Sequence, residues 1–185
     1  MLNEPAQPKI SLNYILVFIV AVFFSWILHE LAHWLVGEYL GYKMAMTLNG
    51  CYPTEGFYRA DWHYQVISAA GPVFTIIEAT VVYFIMMGSA RAILYPILFT
   101  CFYMRLFAAV ISVLNPNDEA RISRALGIGM FTLPLVVSAF LFLLVYRVSK
   151  RYHFNMKFTL ANIGLTILFT SIIILTDMYL KIRIL

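Results

Sequence analysis

The stretch WILHELAHWLVG, residues 26–37, decides how the chain must be read. It closes an apolar run that starts at Leu12, yet it carries His29, Glu30 and His33. Ionisable groups inside a greasy segment are costly unless they have partners there or serve a function. Two histidines four residues apart lie on one face of a helix, one turn apart, and can grip one metal ion through neutral imidazoles. Glu30 is then placed to act on the water that such a metal polarises, first as general base and later as proton donor to a leaving amine. That spacing suits hydrolysis by zinc.

The rest of the composition says where this chemistry sits. The 185 residues are 62% hydrophobic and 12% charged, and the mean hydropathy of +0.83 is far above what one soluble core needs. Five stretches are long enough to cross a hydrocarbon layer, near 11–36, 64–87, 92–114, 126–147 and 158–180. We therefore expect an all-α integral membrane protein, a single multi-pass domain with no room for a fused soluble module. The first span has a longer apolar run than a signal-peptide core and no small-x-small cleavage site after it, so it is expected to remain in the protein. A net charge of +4 with scattered basic residues leaves no nucleic-acid footprint. Cys51 falls in the first loop and Cys101 inside the third span, which argues against a bridge between them.

Five spans put the termini on opposite sides. Loops 37–63 and 115–125 and the C-terminal tail share one face, called face A. Lys43, Arg59, Arg121, Arg124, Lys181 and Arg183 on that face balance Lys9, Arg91, Arg147, Lys150, Arg151 and Lys157 on the other, so charge does not orient the chain.

Two histidines leave a catalytic zinc one protein ligand short. The third span runs into VLNPNDEARIS, where Asp118 follows the helix-breaking Pro116. Spans one and three run in the same direction, so His33 and Asp118 emerge together at face A, and Asp118 is the leading candidate. His63, Asp61, Glu55, Glu119 and Asp177 are rivals on the same face. Of these His63 is the best as chemistry, but no helix-breaking motif holds it inward.

With these residues in hand, the chain resembles the site-2 protease family of intramembrane zinc metalloproteases. Three motifs carry the resemblance over roughly residues 20–125. They are H-E-x-x-H at His29, Glu30 and His33, A-G-P within SAAGPVF at Gly71 and Pro72, and N-P-x-D-G at Asn115 to Asp118, with Glu119 in place of the final Gly. The resemblance implies a three-helix catalytic core, zinc held by His29, His33 and Asp118, water activation by Glu30, and hydrolysis of transmembrane or membrane-associated protein substrates. It also implies substrate contacts at Gly71, Thr75 and Asn115, and an active site toward the cytosolic side. Thr75 stands where the family often has Asn.

Other features are read from the residues alone. YKMAMTLNG is expected to form a hairpin arm ending at Asn49-Gly50, whose edge is placed to pair with an unwound substrate. Glu78 and Arg105 lie in neighbouring antiparallel spans at depths about 6 Å apart, which suggests a structural ion pair. Trp26, Trp34 and Trp62 are expected at lipid-facing or interfacial positions, with no role in chemistry. Other function classes fare worse: a di-iron lipid hydroxylase needs more histidines than His29, His33, His63 and His153, and a transporter leaves HELAH unexplained. A catalytically silent family member that binds a partner membrane protein is the alternative to a protease.

Overall fold

The structure is a computed structural model that describes residues 7–89 and 91–185. In chain order the elements are α1 (Leu12–Tyr39), β1 (Met44–Thr47), β2 (Gly50–Pro53), α2 (Asp61–Gly88), a 3-10 turn (Ala92–Leu94), α3 (Tyr95–Ile111), α4 (Asp118–Ala125), α5 (Thr132–Arg151) and α6 (Met156–Leu180). Five of the helices are long and apolar enough to cross a membrane: α1, α2, α3 with its preceding turn, α5 and α6. This is the architecture of a multi-pass membrane protein.

The helix ends have local causes. Ser11 caps α1 by accepting from the Tyr14 N–H, and Asn155 caps α6 by accepting from Phe158. The third span stops at Ile111, short of the expected 114, because Pro116 and the residue before it resist helical geometry. The fourth begins at Thr132 and not near 126, because Gly127 and Gly129 both take positive φ, 68° and 88°, in the turns that precede it. Between these two spans the expected loop contains α4, with Asp118 and Glu119 in its first turn and Arg124 in its last, each on the side that the helix dipole favours.

Helices α1, α2 and α3 pack on one another, α5 lies against α3 and α2, and α6 against α1 and α3. Tyr14, Phe18, Val22 and Trp26, spaced every fourth residue, point one stripe of α1 into the core, where it meets residues such as Ala79 and Met86 of α2 and Leu98 of α3. The same stripe continues through Ser25, His29 and His33, all buried. The opposite surface of α1 exposes Leu12, Leu16, Val20, Phe23 and Phe24, the large apolar face that a lipid environment would cover.

The sheet is the exception to an all-α description. β1 and β2 form an antiparallel hairpin in which Thr47 pairs with Gly50, so its two-residue turn is Leu48–Asn49, one position earlier than Asn49-Gly50. Two tryptophans tie it to α1: Trp26 Nε1 donates to Asn49 Oδ1 at 3.1 Å and Trp34 Nε1 to the Met44 carbonyl at 3.4 Å. Trp26 is buried, against the interfacial position expected for it, and Trp62 alone of the three is largely exposed.

Away from the His29 end, a buried polar contact also links the spans. Tyr14 donates to Asn162 Oδ1 at 2.7 Å and so joins α1 to α6 near the far end of the bundle. Tyr14→Phe leaves that buried oxygen without its donor and is expected to lower stability by about 1–3 kcal/mol, measurable as a shift in the unfolding midpoint of detergent-solubilised protein, with no effect on the groups around His29.

Candidate metal centre

His29 and His33 project from α1 toward the glycine turn of α2. A Cβ on Gly71 would overlap the His29 ring and His33 Nε2, so only a residue without a side chain allows the two helices to meet at this height. Pro72 follows, and by lacking an N–H it interrupts the helical bonding of the same turn. The rings are oriented by α2 as well. His33 Nδ1–H donates to the Ile67 carbonyl at 2.6 Å. Thr75 gives its hydroxyl proton to the Gly71 carbonyl at 3.0 Å, and its oxygen therefore accepts from His29 Nδ1–H, also at 3.0 Å.

With both Nδ1 atoms carrying the proton, both Nε2 atoms present lone pairs. They lie 3.2 Å apart. Asp118 Oδ2 completes the set at 3.4 Å from His29 Nε2 and 3.5 Å from His33 Nε2. The fold brings Asp118 there by folding the N-P-N loop back along α3, with Asn117 Nδ2 donating to the Ala108 carbonyl at 2.9 Å and Asn117 N–H to Ser112 Oγ at 3.2 Å. The other carboxylate oxygen, Oδ1, is held by Arg121 Nη2, which leaves Oδ2 to face the histidines.

Three acceptors facing one another in a buried place need positive charge among them: the Arg105 guanidinium stands beside two of them, and a proton or a metal ion between them would serve all three. Among the described residues His29, His33 and Asp118 are the group of histidine, cysteine and acidic side chains whose ligand atoms meet in this way. The rivals go elsewhere: His63 Nδ1 bonds the Tyr42 hydroxyl at 2.6 Å, Asp177 accepts from the Leu48 N–H, Glu55 pairs with Lys43, and Glu119 with Arg105.

The trio lines a cavity of about 520 Å³, together with Glu30, Arg105 and Asn117. Glu30 is 8% exposed and follows His29 on the cavity side of α1. The substrate contacts expected at Gly71, Thr75 and Asn115 fall otherwise. Gly71 and Thr75 sit behind the rings and set their position, while Asn115 is exposed on the loop and Asn117 takes the place on the cavity wall.

The expected Glu78–Arg105 pair does not form. Glu78 accepts from Ser25 Oγ at 2.9 Å and from the Cys101 thiol at 3.3 Å. Arg105 instead reaches Glu119 and the ligand cluster. Depth along two neighbouring spans predicted the wrong partner because α4 returns Glu119 to the level of Arg105. An arginine in mid-span and an acid next to Asp118 were the signals available.

No protein-family model matches the chain, and neither curated proteins nor solved structures give a match.

The contact at Gly71 carries a test of its own. Gly71→Ala forces apart α1 and α2 at the histidines and is expected to cost about 1–3 kcal/mol by overpacking, whereas Gly164→Ala, where a Cβ meets open space inside α6, should hold or raise the unfolding midpoint, since alanine is the better helix former.

Proposed function

We propose that the chain is an intramembrane zinc metalloprotease that hydrolyses peptide bonds of transmembrane or membrane-associated proteins. The observation that carries this reading is the convergence of His29 Nε2, His33 Nε2 and Asp118 Oδ2 beside Glu30 in a cavity between helices long enough to span a bilayer. Two neutral imidazoles and one carboxylate suit zinc, and three protein ligands leave the open position that a catalytic site needs. When bound, zinc lowers the pKa of a water molecule and polarises the carbonyl to be attacked. Glu30 takes the proton from water as its oxygen adds to the carbonyl carbon and passes that proton to the leaving amine nitrogen as the C–N bond breaks. Thr75 and the Ile67 carbonyl keep both imidazoles in the ligating tautomer, and Arg121 fixes the carboxylate.

The hairpin supports a way of holding an unwound substrate. On the outer edge of β1, Met44 N–H donates to Glu38, Met44 carbonyl accepts from Trp34, and Met46 pairs through N–H and carbonyl with Leu185 and Ile184. Since Met44 and Met46 face outward, so do their partners Pro53 and Cys51 on β2. Cys51 lies on the cavity wall, and its outward N–H and carbonyl have no partner among the described residues. An extended substrate backbone can pair there, and Pro53 limits that pairing to a short stretch.

The alternative, a silent member of the same family that binds a partner protein in this cavity, shares the fold and departs only in chemistry. Elemental analysis separates them. Unmodified protein purified in detergent should hold about one zinc per chain. His33→Ala and Asp118→Ala should lose it, and Glu30→Gln should keep it while cleavage of membrane-anchored reporter proteins stops. A metal-free unmodified protein would overturn the proposal. Zinc should also be released at acid pH, because a proton competes with the metal for each histidine Nε2 and a protonated imidazole cannot ligate: binding is full at neutral pH and is lost as pH falls.

The docking edge has a separate readout. Cys51→Pro removes one donor from the free edge without touching the bonds between β1 and β2, and should retain zinc while lowering kcat/KM for a reporter about tenfold. Unchanged kcat/KM would place the substrate elsewhere.

A further inference from the structure

Arg105 lies in the middle of α3 and is 5% exposed. A guanidinium at that depth is expensive in a membrane and marks a functional position. Its Nη1 donates to both Glu119 oxygens, at 3.2 and 3.3 Å, and Glu119 is itself buried. The same nitrogen is 3.6 Å from Asp118 Oδ2, and Nη2 is 3.4 Å from His29 Nε2. The guanidinium thus stands nearly as close to two of the three atoms as those atoms stand to one another. It lines the cavity with Glu30, and its buried Nε–H donates to nothing among the described residues.

A cation held against a metal site must be restrained, and Glu119 supplies the restraint. What the position offers is a preformed fork of donors at the place where negative charge would develop. Two donors that stand close to the rings and to Asp118 are committed: the Thr75 hydroxyl to Gly71 and the Asn117 amide to Ala108. We propose that Arg105, anchored by Glu119, is a catalytic residue that donates to the carbonyl oxygen of the scissile peptide as that oxygen becomes negative. The inference rests on the proteolytic reading above. As the oxygen of water bonds to the carbonyl carbon, its proton goes to Glu30 and the C=O electron pair moves onto oxygen, facing Arg105. When the pair returns, the C–N bond breaks and Glu30 protonates the amine. Glu119 takes no proton in these steps; it positions Arg105.

The test uses full-length protein loaded with cobalt(II), whose visible spectrum reports the open coordination position. The probes are a capped Leu-Leu phosphinate, which offers two anionic oxygens on a tetrahedral centre, and imidazole, which is neutral. Arg105→Gln should retain metal and weaken phosphinate binding about 100-fold, with imidazole affinity changed less than about twofold; Arg105→Lys should fall between. The double variant Arg105→Gln/Glu119→Gln removes the buried carboxylate left alone by the first change and serves if the single variant does not fold. Unaltered phosphinate affinity, a parallel loss of imidazole binding, or tighter metal binding with no change in phosphinate affinity would each overturn the role. Cobalt binding without phosphinate discrimination defeats Arg105 alone, whereas an unmodified protein that takes up no metal defeats the metalloprotease reading and Arg105 with it.

Discussion

Three hydrogen-bond acceptors, each presenting an electron pair, His29 Nε2, His33 Nε2 and Asp118 Oδ2, stand 3.2–3.5 Å from one another in a buried place. Left to themselves they repel, and the surrounding structure is arranged to hold them together against that repulsion. Gly71 lets α2 approach α1 closely enough to place a turn behind both rings. That turn supplies the Ile67 carbonyl and the Thr75 hydroxyl, which fix the ring nitrogens facing away. From the other side, the loop after α3 folds back and α4 presents Asp118, with Arg121 occupying its second oxygen. Each of the three central helices takes part in this, and of the outer two α6 adds Ile174 to the cavity wall while α5 packs against α2 and α3.

How far this was legible in the sequence depends on the range of the interaction. The histidine pair and Glu30 are local to one helix, and their i, i+4 spacing is a property of α1 alone. The spans were equally legible, because hydropathy is summed over about 20 residues and tolerates small errors. Their ends were less so: the delayed start of α5 is set by Gly127 and Gly129, whose positive φ no hydropathy window registers. Helix α4 is short and polar and sits in a connection, which hides it from a search for apolar runs.

Long-range polar pairings were the least legible. Glu78 and Arg105 are the two charges deep in adjacent spans, and pairing them follows if depth alone decides. Glu78 instead finds Ser25 and Cys101, two groups that carry no charge and give no signal in the sequence. Arg105 finds Glu119, which stands outside the spans in sequence and returns to their depth in space. Thr75 illustrates the same limit. Read against the motif it stands for an absent amide; in the fold its single proton and single accepting oxygen determine which His29 nitrogen is free.

Two departures from the motif pattern, Thr75 for Asn and Glu119 for Gly, acquire one explanation when charge is followed through the site. A hydroxyl committed to Gly71 and His29 has no proton to spare, and Arg105 stands at the cavity wall. Arginine cannot be kept neutral by burial as lysine can, so its charge must be balanced in place. A glycine after Asp118 could not do this, whereas Glu119 does so through both oxygens.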